Sequence, residues 1–502
     1  MDETNDNKRT MSRREWMKYG TAAAMSGLAA SQNDGADAAT QDSQTAQSFL
    51  IRKATIVTMD SALGDISDGD VLIRDGEIAA LGRDLGASAD QIIDGAGSIV
   101  LPGFIDGHRH LWHSAMKNYH DVWGYGQYRR EGISRHSVCY SPEDMRIGSY
   151  SGGLEALNAG VTTVVDFCHN SRTPEHTEAA LKGTMDSGVG GYFCYSLGAT
   201  PAHGPGDTVD LSNRGGSSGG DDDWRLDHCA SLKDSHFSDP SANLKLGIAT
   251  SYLEIVATFN PGIAKKEIDF ARNLQVDLIT IHVHNFDEFR LVPFLDSGGL
   301  LTENMLLAHA NGVKPEELDV LAARGVSVAV TPETEIPYGE FPSYGEARAR
   351  GVDTALGADS AIFNGSDLFV AMRIALQMQR YREATRGEES GSITQTRDLL
   401  EAATIGGARA VGMDSRVGSI TPGKQADLML IDASSIYHQP VSDAVAAVVF
   451  NTGVSDVTDV WVAGKRVKEN GKLVGVDWPA TARALTASRD RIVELAKTVT
   501  LA

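Results

Sequence analysis

The sequence predicts an α/β fold, a (β/α)8 TIM barrel carrying a small β-sandwich built from both ends of the chain. Three observations lead there. From residue 103 to about 413, short apolar stretches alternate with helical segments, the pattern of consecutive βα units. Eight such stretches occur, at 105–106, 162–167, 191–195, 245–249, 278–282, 305–308, 326–330 and 354–356. Polar or charged residues follow most of them, where barrel enzymes place their chemistry. Finally, β-rich segments with tight turns flank this middle on both sides.

Taken in order, the chain opens on an address. Ser12-Arg13-Arg14-Glu15-Trp16-Met17-Lys18 resembles a twin-arginine export signal, a weakly apolar stretch runs from Tyr19 to Ala30, and Ala36-Asp37-Ala38-Ala39 offers a cleavage site. The stretch is too short and too polar to span a bilayer, which needs about 20 apolar residues. Residues 1–48 are therefore expected to be a signal peptide and linker, read by the twin-arginine export machinery and sending the protein to the periplasm or outside. That route carries proteins already folded.

Residues 49–102 supply the first part of the sandwich. Segments 49–58, 70–74, 77–81 and 98–101 are rich in Ile, Val and Leu, and Asp75-Gly76 reads as a hairpin turn. Residues 103–415 form the barrel. Inside it, 198–240 breaks the rhythm with Gly215-Gly216-Ser217-Ser218-Gly219-Gly220 and Asp221-Asp222-Asp223, a flexible insertion or a lid. The acidic triplet lacks the spaced oxygen ligands of a calcium loop and reads as a solvated run. Residues 416–478 return to the sandwich through strands predicted at 427–432, 444–450 and 457–462, with a turn at Ala463-Gly464-Lys465. Residues 479–502 carry Leu485, Ile492, Val493 and Leu495 at helical spacing.

Composition narrows the partners. Among 502 residues, 42% are hydrophobic and 22% charged, so a core of ordinary size can form without staples. The formal net charge of −22 repels nucleic acid and anionic lipid, while a nucleobase-like small molecule stays open as a partner. Cys139, Cys168, Cys194 and Cys229 contain no C-x-x-C pair and read as buried thiols.

The sharpest motif is Leu101-Pro102-Gly103-Phe104-Ile105-Asp106-Gly107-His108-Arg109-His110. Residues two apart on a strand share a face, so His108 and His110 form half of a divalent-metal site. Further strand ends add His282, His309 and Asp359. Each alone could be an ordinary polar terminus; together, at one end of a barrel, they point to a metal centre.

Here the chain resembles the amidohydrolase superfamily, in its cytosine deaminase and triazine hydrolase branch. The likeness spans nearly the whole chain after residue 48 and includes the split sandwich, the P-G-F-I-D-G-H-x-H opening, the L-G-x-D at the eighth strand and the closing Gly418-Ser419-Ile420-Thr421-Pro422-Gly423-Lys424-Gln425-Ala426-Asp427-Leu428. It implies that His108, His110, His282 and Asp359 bind one divalent metal, Zn or Fe, and that Asp359 also moves protons. It implies too that His309 stands just outside the ligand shell, orienting the water or polarising the substrate. No lysine ends the fourth strand, where binuclear relatives carry a bridging carbamate; Lys245 stands at its start.

One departure bears on the chemistry. Deaminase relatives carry a glutamate three residues after the strand-five histidine, and this chain has Asn285, which cannot shuttle protons. Glu333 and Glu335 after the seventh strand, with Glu335 preferred, and His169 after the second are the candidate replacements. Arg109 is expected in a structural salt bridge, and Trp112 and His113 in the pocket wall. His284 shares a face with His282, but the family register favours His282 as ligand. The expected function is hydrolysis of a non-peptide C–N bond in a small cyclic amide, amidine or N-heterocycle. The alternatives are dehalogenation, lactone or ester opening, a lyase or cyclase step on the same metal, or a silent binding protein. Homo-oligomerisation is left open.

Overall fold

The computed structural model describes residues 48–119, 124–209, 224–284, 289–387 and 393–502. Eight parallel strands close a barrel: β1 (Phe104–Arg109), β2 (Val161–Cys168), β3 (Gly190–Ser196), β4 (Leu244–Ala249), β5 (Ile279–His282), β6 (Met305–Ala308), β7 (Ser327–Val330) and β8 (Thr354–Leu356). Closure comes where β8 pairs with β1, Leu356 opposite Asp106. Each of the eight predicted stretches coincides with one of these strands. Strands covered on both faces read as continuous apolar runs, and all but the first two residues of β4 are buried.

The barrel interior is packed rather than hollow. Ile105, Val165, Phe167, Tyr192, Leu278 and Leu306 meet Val411 and Met413, which follow the helix Ile405–Ala410. The Tyr192 hydroxyl donates to the Val411 carbonyl at 3.1 Å. Outside, the helix Pro142–Asn158 starts at Ser141, whose side chain accepts from Asp144 N–H while Pro142 occupies the first turn.

Both ends of the chain meet in one nine-stranded sheet. Along it run Lys472–Leu473, Lys465–Glu469, Val457–Val462, Leu428–Asp432, Ser98–Pro102, Phe49–Ile56, Ile66–Arg74 and Glu77–Gly82, with Gln91–Asp94 beside Phe49–Ile56. The seam between the two ends is antiparallel, Leu101 opposite Met429. Asp75 and Gly76 have φ of 53° and 84°, the left-handed pair that a two-residue hairpin turn needs. Ala463 and Gly464 repeat it at 47° and 73°, and a Cβ on Gly464 would lie 2.6 Å from Gly76 Cα. The two turns abut, and only glycine lets them.

Three expectations change. The strand predicted at 444–450 is a helix, Ala444–Asn451, started by the Asp443 carboxylate accepting from Ala446 N–H. It packs on the helices Leu368–Arg386 and Thr396–Ala402 rather than in the sheet. A short apolar run carries no period that separates the two states. Within 198–240, the described residues include the strand Thr208–Val209 and the helix Trp224–His236. The C-terminal helix, Trp478–Ala496, gives way to Thr500–Leu501, which pairs with Thr208–Val209. The twin-arginine motif, the glycine-rich run, the acidic triplet and Asn285 lie outside the described residues. No described helix is long and apolar enough to cross a membrane.

Candidate active site

The carboxyl ends of the strands bring the predicted residues together. His108 lies on β1 and His110 follows it, His282 ends β5, His309 follows β6, and Asp359 stands just beyond β8. Backbone bonds lock the first and last of these: Asp359 N–H donates to His108 O at 2.9 Å and His110 N–H to Asp359 O at 3.0 Å. Gly357 makes that approach feasible, since a Cβ there would sit 2.8 Å from His108 O. His309, Ala310 and Asp359 have φ of 68°, 53° and 55°. Left-handed conformations at non-glycine residues cost of order 1–3 kcal/mol each and cluster where side chains must be aimed.

Ligating atoms of His108, His110 and His282 all lie within 4.8 Å of one another, as do those of His108, His309 and Asp359. Asp359 Oδ1 is 3.2 Å from His110 Nε2 and 3.5 Å from His108 Nε2, while Thr334 donates to Oδ2 at 2.6 Å. His110 Nδ1–H donates to the Phe167 carbonyl at 2.7 Å, which leaves the Nε2 lone pair facing the cluster. Burial lowers the pKa of His108 and His282, so both rings are neutral. Asp359 is held well below the carboxylate range, because the nearby His108 and His110 rings outweigh the effect of burial.

Both ring nitrogens of His108 and Nδ1 of His282 are buried without a hydrogen-bond partner. Buried polar atoms are rarely left so, and each needs an explanation. Neutral imidazoles and a carboxylate close together form the donor set of a divalent cation, and a cation there would satisfy one nitrogen on each of these two rings. The residues present fit one divalent metal.

A model of the Amidohydrolase family matches residues 99–249 and 275–467. The chain belongs to the amidohydrolase family. Among similar proteins, the 5'-deoxyadenosine deaminase of Methanosarcina mazei is 25% identical over 434 residues, 86% of this chain and 94% of that one. The 5-methylthioadenosine/S-adenosylhomocysteine deaminase of Moorella thermoacetica is 26% identical over 450 residues, 86% and 96% of the two chains. The fold matches an adenosine deaminase from Xanthomonas campestris with bound zinc (TM-score 0.77, 22% identity, 89% and 98% coverage). It also matches atrazine chlorohydrolase from Arthrobacter aurescens complexed with zinc (TM-score 0.72, 22% identity, 88% and 100% coverage).

Around this amidohydrolase centre the other candidates separate. Glu335 is fully buried, with Oε1 accepting from Thr331 N–H at 2.8 Å and from its hydroxyl at 3.4 Å. The same hydroxyl lies 2.7 Å from His309 Nδ1, so Glu335 reaches His309 through Thr331. Burial pushes its pKa up to about 8. Glu333 instead accepts from Gly365 N–H at 3.1 Å. The His169 ring lies 4.2 Å from that of His110, with Nε2 3.0 Å from the Tyr128 hydroxyl.

The remaining side chains serve as supports. Arg109 binds Asp106 and Glu155, each at 3.3 Å, the structural pairing expected of it. His113 is held by Ser360 at 2.8 Å and by Tyr128 at 3.3 Å. The backbone N–H of His284 donates to Glu254, and its ring packs on His309 at 4.4 Å. Lys245 pairs with Asp277 near the start of its strand, so it offers no bridging group.

Over the histidines lies a space of about 20 Å³, walled by Tyr125, Tyr128, Tyr252, Tyr338 and Phe363, with room for one water. Beside it, a cavity of about 500 Å³ is bordered by Trp112, Phe167, His169 and Tyr252. That volume suits a small molecule. Sequence reasoning missed Tyr128, Arg129, Tyr252, Thr331 and Thr334. Only the two threonines carried a signal, flanking Glu333 in the polar run after β7.

Proposed function

We propose that this chain is a hydrolase that uses one divalent metal, zinc, to cleave a non-peptide C–N bond of a small cyclic amide, amidine or N-heterocycle with water. The reading is carried by the buried, partnerless nitrogens of His108 and His282, which converge with His110, with Asp359 Oδ1 3.2 Å from His110 Nε2. Relatives named as deaminases support the bond class, and zinc in two structures of the same fold supports the metal.

His108, His110, His282 and Asp359 would hold the cation. Bound there, it lowers the pKa of a water from 15.7 to about 7. Thr334 fixes one Asp359 oxygen and leaves Oδ1 towards the histidines, placed to take the nucleophile's proton and return it at the leaving nitrogen. His309 is neutral, its pKa lowered by burial, and its Nε2 is free to orient the attacking oxygen or the electrophile. Glu335 acts as a positioning residue through Thr331. His169, on the wall of the larger cavity, is the chain's candidate for protonating a ring nitrogen in place of the family glutamate. The tyrosines over the histidines keep bulk water out.

The test is elemental analysis of the purified protein beside a His108→Ala, Asp359→Ala double variant, followed by a panel of amides, lactones and halogenated heterocycles. Near one equivalent of zinc in the parent, lost in the variant, with turnover of a C–N substrate, bears the reading out. Metal absent from both when supplied, or turnover of lactones alone, overturns it. For the amino terminus we propose twin-arginine export to the periplasm; retention of an Arg13→Lys, Arg14→Lys variant in the cytoplasm is the expected result.

A further inference from the structure

The described residues bordering the larger cavity have a charge character opposite to that of the whole chain. The sequence holds 67 Asp and Glu against 45 Lys and Arg. Yet among the described residues bordering the 500 Å³ cavity there is no carboxylate, and there is one permanent cation, Arg129. A wall free of acids in so acidic a chain is the surroundings an anion needs.

Arg129 is held by aromatic groups rather than by an ion pair. Its guanidinium carbon lies 5.4 Å from the centre of the Tyr252 ring, and the Tyr125 phenol is among the groups that favour its charged form. Among the described residues no carboxylate pairs with it. A guanidinium carries five N–H donors in a planar fork, which a ligand's acceptors can engage. Tyr252 in turn stacks on His282, the rings 4.9 Å apart and 10° from parallel. Guanidinium, phenol and imidazole thus stand in series. A substrate reacting at the histidines and lying along Tyr252 brings its far end to the guanidinium. Trp112 and Phe167 on the same cavity supply apolar faces for a flat ring between these two points.

We propose that Arg129 docks a carboxylate of the substrate, so that the substrate is an N-heterocycle or cyclic amide bearing an anionic tail; this rests on the hydrolase reading above. The fork matches a carboxylate, which it can bind bidentately, better than a phosphate dianion, for which the described wall residues offer no second permanent cation.

The experiment uses benzoate and benzamide, which share shape and differ in charge, titrated into the metal-loaded full chain and followed by thermal shift. Benzoate is expected to bind saturably and benzamide at least about tenfold more weakly. Arg129→Met should weaken benzoate about ten- to hundredfold, and Arg129→Lys should fall between, with metal content unchanged in both. Benzoate binding equally to wild type and Arg129→Met overturns the proposal, because the anion would then sit elsewhere, such as on the metal. Equal binding of benzamide overturns it as well. Turnover of neutral heterocycles without benzoate binding sinks the Arg129 assignment alone. Benzoate binding through Arg129 with no turnover of any heterocycle supports the docking site and sinks the hydrolase reading.

Discussion

Replacing Glu335 by Gln isolates what it takes to keep this carboxyl inside the protein. The side chain is fully buried; one oxygen accepts from Thr331, and the other has no partner. Burial, partly offset by those bonds, carries its pKa from 4.5 to about 8. In the unfolded chain it titrates near the ordinary value, so between these two pH values the native state retains a proton that the unfolded state has lost. Stability therefore falls as pH rises through that window, by about 1.4 kcal/mol per pH unit, and the loss levels off above pH 8 at roughly 5 kcal/mol. Gln has the shape of the neutral acid, can keep the bond from Thr331 N–H and does not titrate. Urea unfolding of chelator-treated wild type and Glu335→Gln at pH 5, 6, 7 and 8 measures the effect, the chelator removing a cation that would favour the ionised form. The variant's advantage should grow with each step, since all other titrations cancel in the comparison. A difference constant across the four pH values would refute the reasoning, because Glu335 would then be ionised in the native state.

Three other variants test the surroundings. Thr334→Ala removes the hydroxyl that donates to Asp359 Oδ2 at 2.6 Å, and zinc affinity by chelator competition should fall about 10–100-fold. Tyr128→Phe removes the partner of His169 Nε2 at 3.0 Å; if His169 protonates the substrate, kcat falls about tenfold or more and its pH profile shifts. An unchanged profile would remove His169 from the chemistry. Arg109→Met strands Asp106 and should cost about 3–5 kcal/mol in denaturant unfolding. Zinc content of the folded fraction should stay near that of wild type.

How far the sequence could be read depended on whether a residue's role was local. The strand ending at His282 was legible because a strand buried on both faces must be apolar throughout, and His108 and His110 because alternation puts them on one face. Asp75-Gly76 was legible because its turn constrains φ. The helix Ala444–Asn451 was not, since seven consecutive apolar residues have no period to betray them and Asp443 is one of many residues that could cap a helix. Tyr128 and Arg129 open a π-helical segment whose polar sequence carries no amphipathic signal. Glu335 was singled out by its place after β7, but nothing in Pro332-Glu333-Thr334-Glu335 signals its full burial, which is imposed by the strand ends around it.

Thr331 gives that buried carboxyl a means of acting on His309. The hydroxyl stands between two acceptors, His309 Nδ1 at 2.7 Å and Glu335 Oε1 at 3.4 Å, and has one proton to donate. When Glu335 is ionised its charge draws the hydroxyl proton, so His309 must carry its own proton on Nδ1 and present a bare Nε2 to the pocket. When Glu335 is protonated, the hydroxyl can turn to Nδ1, and His309 then presents an Nε2–H. The first tautomer accepts from an attacking water; the second donates to a developing oxyanion. A carboxyl whose pKa stands near 8 keeps both within reach around neutral pH. The role proposed for Glu335 needs no contact with substrate, which agrees with its place behind Thr331.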